Sequence, residues 1–153
     1  MKNTKQHGSK AHLLGLVCGL ALAVLAVAPA TPALANNVAN TTYSFYFSGD
    51  GATQGTNPRE KDTSSVCYLR VSSLGLNHMN FYIDGSTYSS GGWVNRTRGG
   101  VAVAYYTGHF SIHNYVYENG GSWARLTSMS DCGSGSVSGM WSPDSNESNP
   151  SLN

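Results

Sequence analysis

The chain has 153 residues, with 9 Lys and Arg against 8 Asp and Glu, and a formal net charge of +1 at pH 7. Three of the basic residues lie within the first ten positions, so residues 36–153 carry 6 basic against 8 acidic side chains, a net charge of −2. A protein that follows a phosphate backbone or binds anionic lipid by charge needs a basic surface. The composition therefore argues against nucleic acid as a partner and against electrostatic capture by a membrane.

The first 35 residues have the three parts of a secretory signal peptide. These are a basic head, an uncharged apolar run over 13–28 and an Ala-Leu-Ala end at 33–35. The apolar run is shorter than the roughly 20 residues that a spanning helix needs. We therefore predict cleavage after Ala35, a secreted, extracellular protein, and no membrane span in the mature chain.

The rest of the chain is predicted to form one β domain over 36–143, followed by a disordered polar tail over 144–153. Residues 36–153 are rich in Gly, Ser, Thr, Tyr and Asn and poor in Leu, Glu and Lys. Such a composition favours strands and turns over helices. About eight short strands joined by Gly-rich turns predict an all-β fold, an antiparallel β-sandwich or a small barrel.

Alternation of apolar and polar residues indicates the strands. In chain order they are TTYSFYFS, SSVCYLRVSS, HMNFYID, the less regular GWVNR, GGVAVAYYT, HFSIHNYVYE, SWARLTS and SVSGMW. The rows expected to face the core are Tyr43, Phe45 and Phe47; Cys67, Leu69 and Val71; Met79, Phe81 and Ile83; Val101, Val103 and Tyr105; and Phe110, Ile112, Asn114 and Val116. Asn119-Gly120-Gly121 predicts a hairpin turn, because Asn and Gly accept positive φ at low cost.

The closing strand ends in a large indole followed by a proline. Val137, Gly139 and Trp141 share one face, and Pro143 cannot continue a ladder because it lacks the N–H. We interpret Trp141 as a core residue and Pro143 as the strand terminator. A recognition signal carried on the surface is the alternative.

Two cysteines follow the predicted cleavage site, Cys67 and Cys132. An even pair in an exported chain usually closes as a disulfide, so we predict a Cys67–Cys132 bond. The loop it would close holds 66 residues, which corresponds to about 4 kcal/mol in the chain-entropy model. The alternative, a reactive thiol pair, lacks the C-x-x-C spacing.

No catalytic residue, metal site or cofactor is predicted. His109 and His113 point the same way on a strand but lie roughly 13 Å apart, too far to share one zinc ion. The acids of the 49–62 loop leave calcium open as an alternative, although the EF-hand pattern is missing. The chain has no G-x-S-x-G elbow and no H-E-x-x-H motif, so we predict a protein that is not an enzyme.

Tyrosines are unusually frequent and many have the parity of solvent-facing positions. The predicted aromatic face consists of Tyr46, Tyr68, Tyr82, Tyr106, Tyr115 and Tyr117. Tyrosine pairs on a solvent-facing sheet stabilise it through cross-strand contacts, which is one interpretation. The other is a ligand-binding face for a polymer such as cell-wall glycan, or for an envelope or host protein, because tyrosine offers rigid contact area with a polar tip.

Three motifs carry a resemblance to known proteins: NPREKDTSSVCYLRV, HFSIHNYVYENGGSWARL and VSGMWSPDS. They resemble an uncharacterised family of small secreted proteins of Gram-positive bacteria that end in V-S-G-x-W-S-P-D-S. In overall style the chain is also similar to lactococcin-type bacteriocins, which implies an all-β protein that acts on the envelope of neighbouring cells. The cysteine pair and the polar tail after Trp141 depart from that style.

The sequence therefore predicts a secreted, non-enzymatic binding protein that acts at the cell envelope or extracellular surface. A bacteriocin-like antimicrobial protein is the alternative, and a small extracellular hydrolase is the third hypothesis.

Overall fold

The computed structural model describes residues 37–153, so the predicted signal peptide lies outside the described residues. This part of the chain forms one compact unit of ten strands and contains no helix that could cross a membrane. The strands are β1 Thr41–Phe47, β2 Thr53–Gly55, β3 Arg59–Glu60, β4 Cys67–Leu74, β5 Met79–Ser86, β6 Val94–Asn95, β7 Ala102–Ala104, β8 Gly108–Ile112, β9 Trp123–Met129 and β10 Gly135–Ser142.

The strands form two antiparallel sheets, which confirms the all-β prediction. One sheet has four strands in the order β1-β10-β4-β8. The other has six: β2-β9-β5-β6 lie in order, β3 also pairs with β9, and β7 also pairs with β5. The two sheets do not close into a barrel, so that alternative is wrong. The strand count exceeds the predicted eight because the 49–62 loop contributes β2 and β3.

The core lies between the two sheets and is built from the alternating rows. Its largest members are Tyr43, Phe45, Phe47, Leu69, Met79, Phe81, Ile83, Phe110, Ile112, Val116, Leu126 and Trp141. The rings of Tyr43 and Phe81 belong to different sheets, and their centroids are 6.1 Å apart in an edge-on arrangement. Each fully buried large apolar side chain stabilises the fold by about 1.5–3 kcal/mol, so these rows hold the sheets together.

One predicted row is wrong. In β7 the core side is occupied by Ala102 and Ala104, while Val103 faces outward. Ala104 lies opposite Met79 and Ala102 opposite Phe81 in the β5 ladder. Because these two large side chains already fill the space next to β7, the small residues of that strand face the core.

The predicted strand over 109–118 is too long. β8 ends at Ile112, and residues 116–120 form a turn that closes with Gly120 at φ +75°. The side chain of Val116 is nevertheless fully buried and that of Asn114 nearly so. The predicted burial of these two side chains is therefore confirmed, but the backbone leaves the sheet after Ile112.

The last strand, β10, lies between β1 and β4, and Trp141 is fully buried within it. Pro143 follows directly after the strand ends at Ser142. The ladder with β4 shifts register between Ser138 and Gly139. A Cβ at Gly139 would lie 1.7 Å from the carbonyl oxygen of Arg70, so only glycine permits this close approach of the two strands.

The predicted disulfide is wrong: Cys67 and Cys132 are both free thiols. Cys67 lies in the core, where its Sγ donates to the carbonyl oxygen of Pro143 at 3.1 Å. Cys132 belongs to the turn before β10 and donates to the carbonyl oxygen of His78 at 3.3 Å. The even count of cysteines predicted a pair, but the two side chains have separate surroundings.

The last ten residues, predicted to be a disordered tail, are instead bonded to the sandwich. Pro150 O accepts from the backbone N–H of Ser111, and the N–H of Leu152 donates back to Ser111 O. Ser151 thereby forms a parallel bridge at the open edge of β8. The side chain of Asn153 accepts from the N–H of His113. Main-chain pairing at a sheet edge, a contact that polar composition does not reveal, explains the difference.

An ion pair at the end of β10 joins distant parts of the chain. Lys61 Nζ lies 2.7 Å from Asp144 Oδ1, and neither side chain is accessible to solvent. The Asp144 carboxylate accepts five hydrogen bonds, from Asn37 N, Lys61 Nζ, Asp62 N, Thr63 Oγ1 and Ser65 Oγ. Burial alone would raise the pKa of Asp144, but the hydrogen bond from Lys61, the Asp62 N–H and the charge of Lys61 outweigh it and lower the pKa.

Candidate functional site

On the outer side of the six-stranded sheet, charged, hydroxyl and aromatic side chains lie next to one another. Its two central strands, β5 and β9, are directly paired, and residues opposite each other share one side of the sheet. With Phe81 and Leu126 facing the core, the remaining alternate residues face outward. We call this surface the outer face; it comprises Asn80, Tyr82, Asp84 and Ser86 of β5 and Trp123, Arg125, Thr127 and Met129 of β9.

An ion pair occupies the middle of the outer face. Asp84 lies opposite Arg125 in the ladder, and the Arg125 Nε and Nη2 atoms both lie 3.1 Å from Asp84 Oδ2. Thr127 Oγ1 donates to the same oxygen at 2.8 Å. The side chain of Arg125 is 32% exposed and that of Asp84 13% exposed. The pair is therefore held in a defined geometry while its guanidinium remains open to solvent.

An aromatic ring lies against the guanidinium of this pair. The Cζ atom of Arg125 is 4.8 Å from the ring centroid of Trp93, within the range of a cation–π contact. Trp93 directly precedes β6, which pairs with Asp84 and Gly85 near the C-terminal end of β5. Trp93 and Trp123 are both partly exposed, whereas Trp141, the third tryptophan of the chain, is fully buried. Two of the three indoles are thus placed where a ligand can contact them.

The outer face continues past Tyr82 to the end where β5 begins. Burial and the negative charge of Asp131 raise the pKa of Tyr82 above its usual value. The β5–β9 register, extended by two residues, brings His78 opposite Asp131, and their Nε2 and Oδ1 atoms are 2.8 Å apart. The ring of Tyr105 lies 5.5 Å from that of His78. Aromatic and charged groups therefore alternate along this side of the sheet.

The six tyrosines of the predicted aromatic face do not lie together. Tyr46 and Tyr68 belong to the four-stranded sheet, and only Tyr82 lies on the outer face of the other sheet. Tyr106, Tyr115 and Tyr117 lie in loops on either side of β8. Parity along separate strands cannot tell which sheet a strand joins, so the predicted set mixes two surfaces and two loops.

The tyrosines also differ in accessibility. Tyr68 is buried, and its hydroxyl lies 2.9 Å from His109 Nδ1, so it belongs to the packing of the four-stranded sheet. Tyr106 is exposed, although its ring packs edge-on against Phe110 at 5.5 Å. Tyr46 is 68% exposed on β1 and lies far in sequence from the tryptophans of the outer face. The Trp93 ring is stronger support for a binding site, because it lies against the Arg125 guanidinium.

A groove with a volume of about 530 Å³ lies beside β1. It is lined by residues 41–45 and by residues 55–59. Arg59 belongs to this lining, but its guanidinium already donates to Ala39 O and Asn37 Oδ1, each at 2.5 Å. Arg59 is the charged residue of this lining, and its hydrogen bonds within the chain leave it less free for a ligand than Arg125.

The structure separates the residues considered for metal binding. His109 lies in β8 and bonds to Tyr68, whereas His113 follows the strand. The three acids of the 49–62 loop also have separate surroundings. The Asp50 carboxylate accepts from the N–H of Gly133, and Glu60 lies in β3. The backbone N–H of Asp62 donates to Asp144. Within residues 37–153 these histidines and acids do not form a group of three metal ligands. Such a group is formed by His78, Asp131 and Cys132.

Sequence reasoning missed most of the outer face. Asp84, Trp93 and Arg125 lie on three separate segments and meet only through the β5–β6 and β5–β9 pairings. One signal was available: Trp123, Arg125 and Thr127 alternate with the core residues of β9. That row marks a solvent-facing strip with an indole and a guanidinium, but its partner strand cannot be read from the sequence.

Comparison with known proteins gives a family and no function. The family model described as "Protein of unknown function (DUF2712)" matches residues 31–145. The search of curated proteins and the search of solved structures each found no match.

Proposed function

The chain belongs to the DUF2712 family, whose function is unknown, so its role has to be inferred from its own surface. We propose that the protein is a secreted, non-enzymatic glycan-binding module that acts at the cell envelope or extracellular surface. The binding site consists of Arg125 and Asp84 of the outer face together with Trp93, which lies against Arg125.

One observation carries the proposal: a partly exposed indole and an oriented ion pair lie side by side at the surface of the six-stranded sheet. Arg125 is held by Asp84 on one side and lies 4.8 Å from the Trp93 ring on the other. Sugar rings have an apolar C–H face and a rim of hydroxyls. An aromatic ring contacts the apolar face, while a guanidinium held in place by a carboxylate donates to the hydroxyls. The arrangement therefore offers both kinds of contact within one sugar's width.

Sheet stability alone is a weaker explanation of this arrangement. A cross-strand ion pair contributes roughly 0.2–1 kcal/mol, which explains Asp84 and Arg125 but not the partly exposed ring next to them. Trp93 and Trp123 are only partly buried, so they contribute less to core packing than a buried indole does. Their rings offer rigid contact area for a ligand. A binding surface accounts for both the ring and the pair.

The location follows from the N-terminal sequence. The basic head, apolar run and Ala-Leu-Ala end of residues 1–35 support secretion. A secreted glycan-binding domain meets polysaccharide at the outside of cells, which places its ligand in the cell envelope or the surrounding matrix.

The test is binding to intact Gram-positive cells and to cell-wall glycan stripped of protein, with the bound fraction measured at increasing protein concentration. We expect saturable binding to both. Trp93→Ala removes the ring and should weaken binding by about 2 kcal/mol, or roughly 30-fold in Kd, as for a central aromatic contact. Tyr46→Ala is the matched control, because it removes an exposed ring from the opposite sheet and should leave Kd unchanged.

Equal binding by wild type and Trp93→Ala would contradict the assignment of the site. Binding to cells but not to stripped glycan would point to an envelope protein as the ligand. Absence of binding to any cell or glycan would refute the function itself. Loss of cell viability on binding would favour the bacteriocin-like alternative.

A further inference from the structure

Three metal-binding side chains meet at the end of the outer face. His78 directly precedes β5, and Asp131 and Cys132 follow β9. His78 Nε2 lies 2.8 Å from Asp131 Oδ1, and Cys132 Sγ lies 3.3 Å from the carbonyl oxygen of His78. The ligand atoms of the three side chains all lie within 4.8 Å of one another. The paired strands bring together residues that are more than fifty positions apart in the sequence.

The three atoms suit a zinc-like ion. Imidazole nitrogen, carboxylate oxygen and thiolate sulfur are all zinc ligands, with bonds of about 2.0–2.3 Å. A tetrahedral ion with such bonds holds its ligand atoms roughly 3.5 Å apart, by the same distances. Small side-chain rotations from the present arrangement therefore suffice. A mixed N, O and S set also disfavours magnesium and calcium, which take oxygen ligands.

Neighbouring residues support the three ligands in the way that outer partners of a metal site do. The side chain of Asn80 donates to Asp131, and the Tyr105 ring lies over that of His78 with its centroid 5.5 Å away. Such contacts fix the orientation of ligands before the ion arrives. The side chain of His78 is 25% exposed and that of Asp131 49% exposed, so an ion can enter from solvent.

We propose that His78, Asp131 and Cys132 form a zinc site with three protein ligands and a fourth position open to water. Binding replaces the thiol S–H bond by an S–Zn bond and releases that proton to solvent. No oxidant or reductant takes part. The site is separate from the Trp93 and Arg125 arrangement, so the two proposals stand or fall independently.

Cobalt(II) is the probe, because it takes the same tetrahedral sites as zinc and is coloured. Purified, reduced protein titrated with Co²⁺ should show a thiolate-to-metal charge-transfer band that saturates at one ion per chain. Added Zn²⁺ should remove the band by displacement, and competition with a chelating indicator gives the Kd for zinc. Calorimetry in two buffers of different ionisation enthalpy should show the release of one proton.

The variants separate this site from adventitious binding. Cys132→Ser should abolish the charge-transfer band, and His78→Gln or Asp131→Asn should weaken zinc binding by more than 100-fold, because each removes a direct ligand. Asn80→Ala removes only an outer partner and should weaken it by about 10–100-fold. Cys67→Ser and His109→Gln are the matched controls, since both side chains lie elsewhere, and they should bind as wild type.

Far-UV circular dichroism on each variant establishes that a loss of binding is not a loss of fold. A charge-transfer band that persists in Cys132→Ser, or that is lost in Cys67→Ser with the fold intact, would overturn the proposal. So would the absence of any saturable band in the reduced wild-type protein. Trp93→Ala should leave the cobalt spectrum unchanged, and glycan binding by Cys132→Ser should remain, which keeps the two sites distinguishable.

Discussion

Two carboxylates of this domain pair with a cation, and their surroundings are opposite. Asp144 and Lys61 are both closed to solvent, and five donors surround the carboxylate. Asp84 and Arg125 also form a close pair, but the guanidinium remains 32% exposed beside an indole ring. The chemistry of the two pairs is similar, whereas the availability of their charges to another molecule is not.

This difference separates a structural pair from a binding pair. Desolvated charges are costly, so a buried pair is tolerated only when internal partners satisfy both groups. The Asp144 carboxylate accepts its hydrogen bonds from the chain itself. It thereby joins the segment after β10 to Asn37 and to residues 61–65. In the Asp84–Arg125 pair the carboxylate is mostly buried, but the guanidinium is partly solvated and keeps N–H groups that a ligand can use. Burial, and not the mere presence of an ion pair, therefore directs us to the outer face.

The sharpest test of the comparison replaces each carboxylate in turn. Asp144→Asn leaves Lys61 buried without a counter-charge, and we expect a loss of about 3–5 kcal/mol in the free energy of unfolding. Asp84→Asn keeps an acceptor beside Arg125, whose guanidinium stays partly solvated, so we expect a smaller loss of about 1–2 kcal/mol. Urea titrations of both variants measure the two losses. Similar losses would mean that the two pairs do not differ in the way that their burial indicates.

The two cysteines extend the comparison to chemical reactivity. Cys67 lies beside the Asp144 network, and burial raises its pKa to about 12, with a smaller opposing effect from Lys61. Relative to an ordinary thiol of pKa about 8.5, its thiolate fraction at neutral pH is lower by roughly three orders of magnitude. In native, metal-free protein, iodoacetamide should therefore modify Cys132 and leave Cys67 intact.

Peptide mass spectrometry after short labelling reads each cysteine separately. Denaturant should make both sites reactive, which is the positive control for Cys67. Recovery of a Cys67–Cys132 cross-linked peptide from the native, non-reduced protein would contradict the free thiols of the structure. Equal labelling rates in the native state would contradict the burial of Cys67.

A smaller effect is expected from pH. Because the pKa of Asp144 is lower in the folded protein than in the unfolded chain, where it is about 3.9, its ionisation stabilises the fold above that value. This stabilisation is lost as the pH falls below the unfolded pKa and through the folded one. The free energy of unfolding, measured by urea titration from pH 6 downward, should therefore fall more steeply in wild type than in Asp144→Asn. Parallel curves would show that Asp144 is not the titrating group.

The sequence was sufficient for the fold class because alternation reports which side of a strand is buried. The rows containing Phe45, Leu69 and Phe81 were correctly assigned to the core on that basis. Alternation failed at β7, where alanines opposite Met79 and Phe81 face the core and Val103 does not. Residue size alone misleads when a neighbouring strand has already filled the space.

The candidate site was harder to predict because it depends on which strands are neighbours. Asp84 meets Arg125 only through a ladder between residues some forty positions apart, and Trp93 enters from a third segment. The same limit explains the mistaken disulfide, since counting cysteines does not place Cys67 or Cys132 in space. Pairings over such distances follow from sheet order, which no local pattern specifies.

The bridge at Ser151 has a consequence for how the molecule behaves in a crowded solution. A bare strand edge is a template on which a second chain can extend the sheet, and this is a common first step in aggregation. The C-terminal segment occupies the edge of β8 at Ser111, so the protein's own backbone takes the place that a foreign strand would use. At this position the final residues therefore cover an edge that a second chain could otherwise pair with, and polar side chains suffice because the backbone makes the bonds.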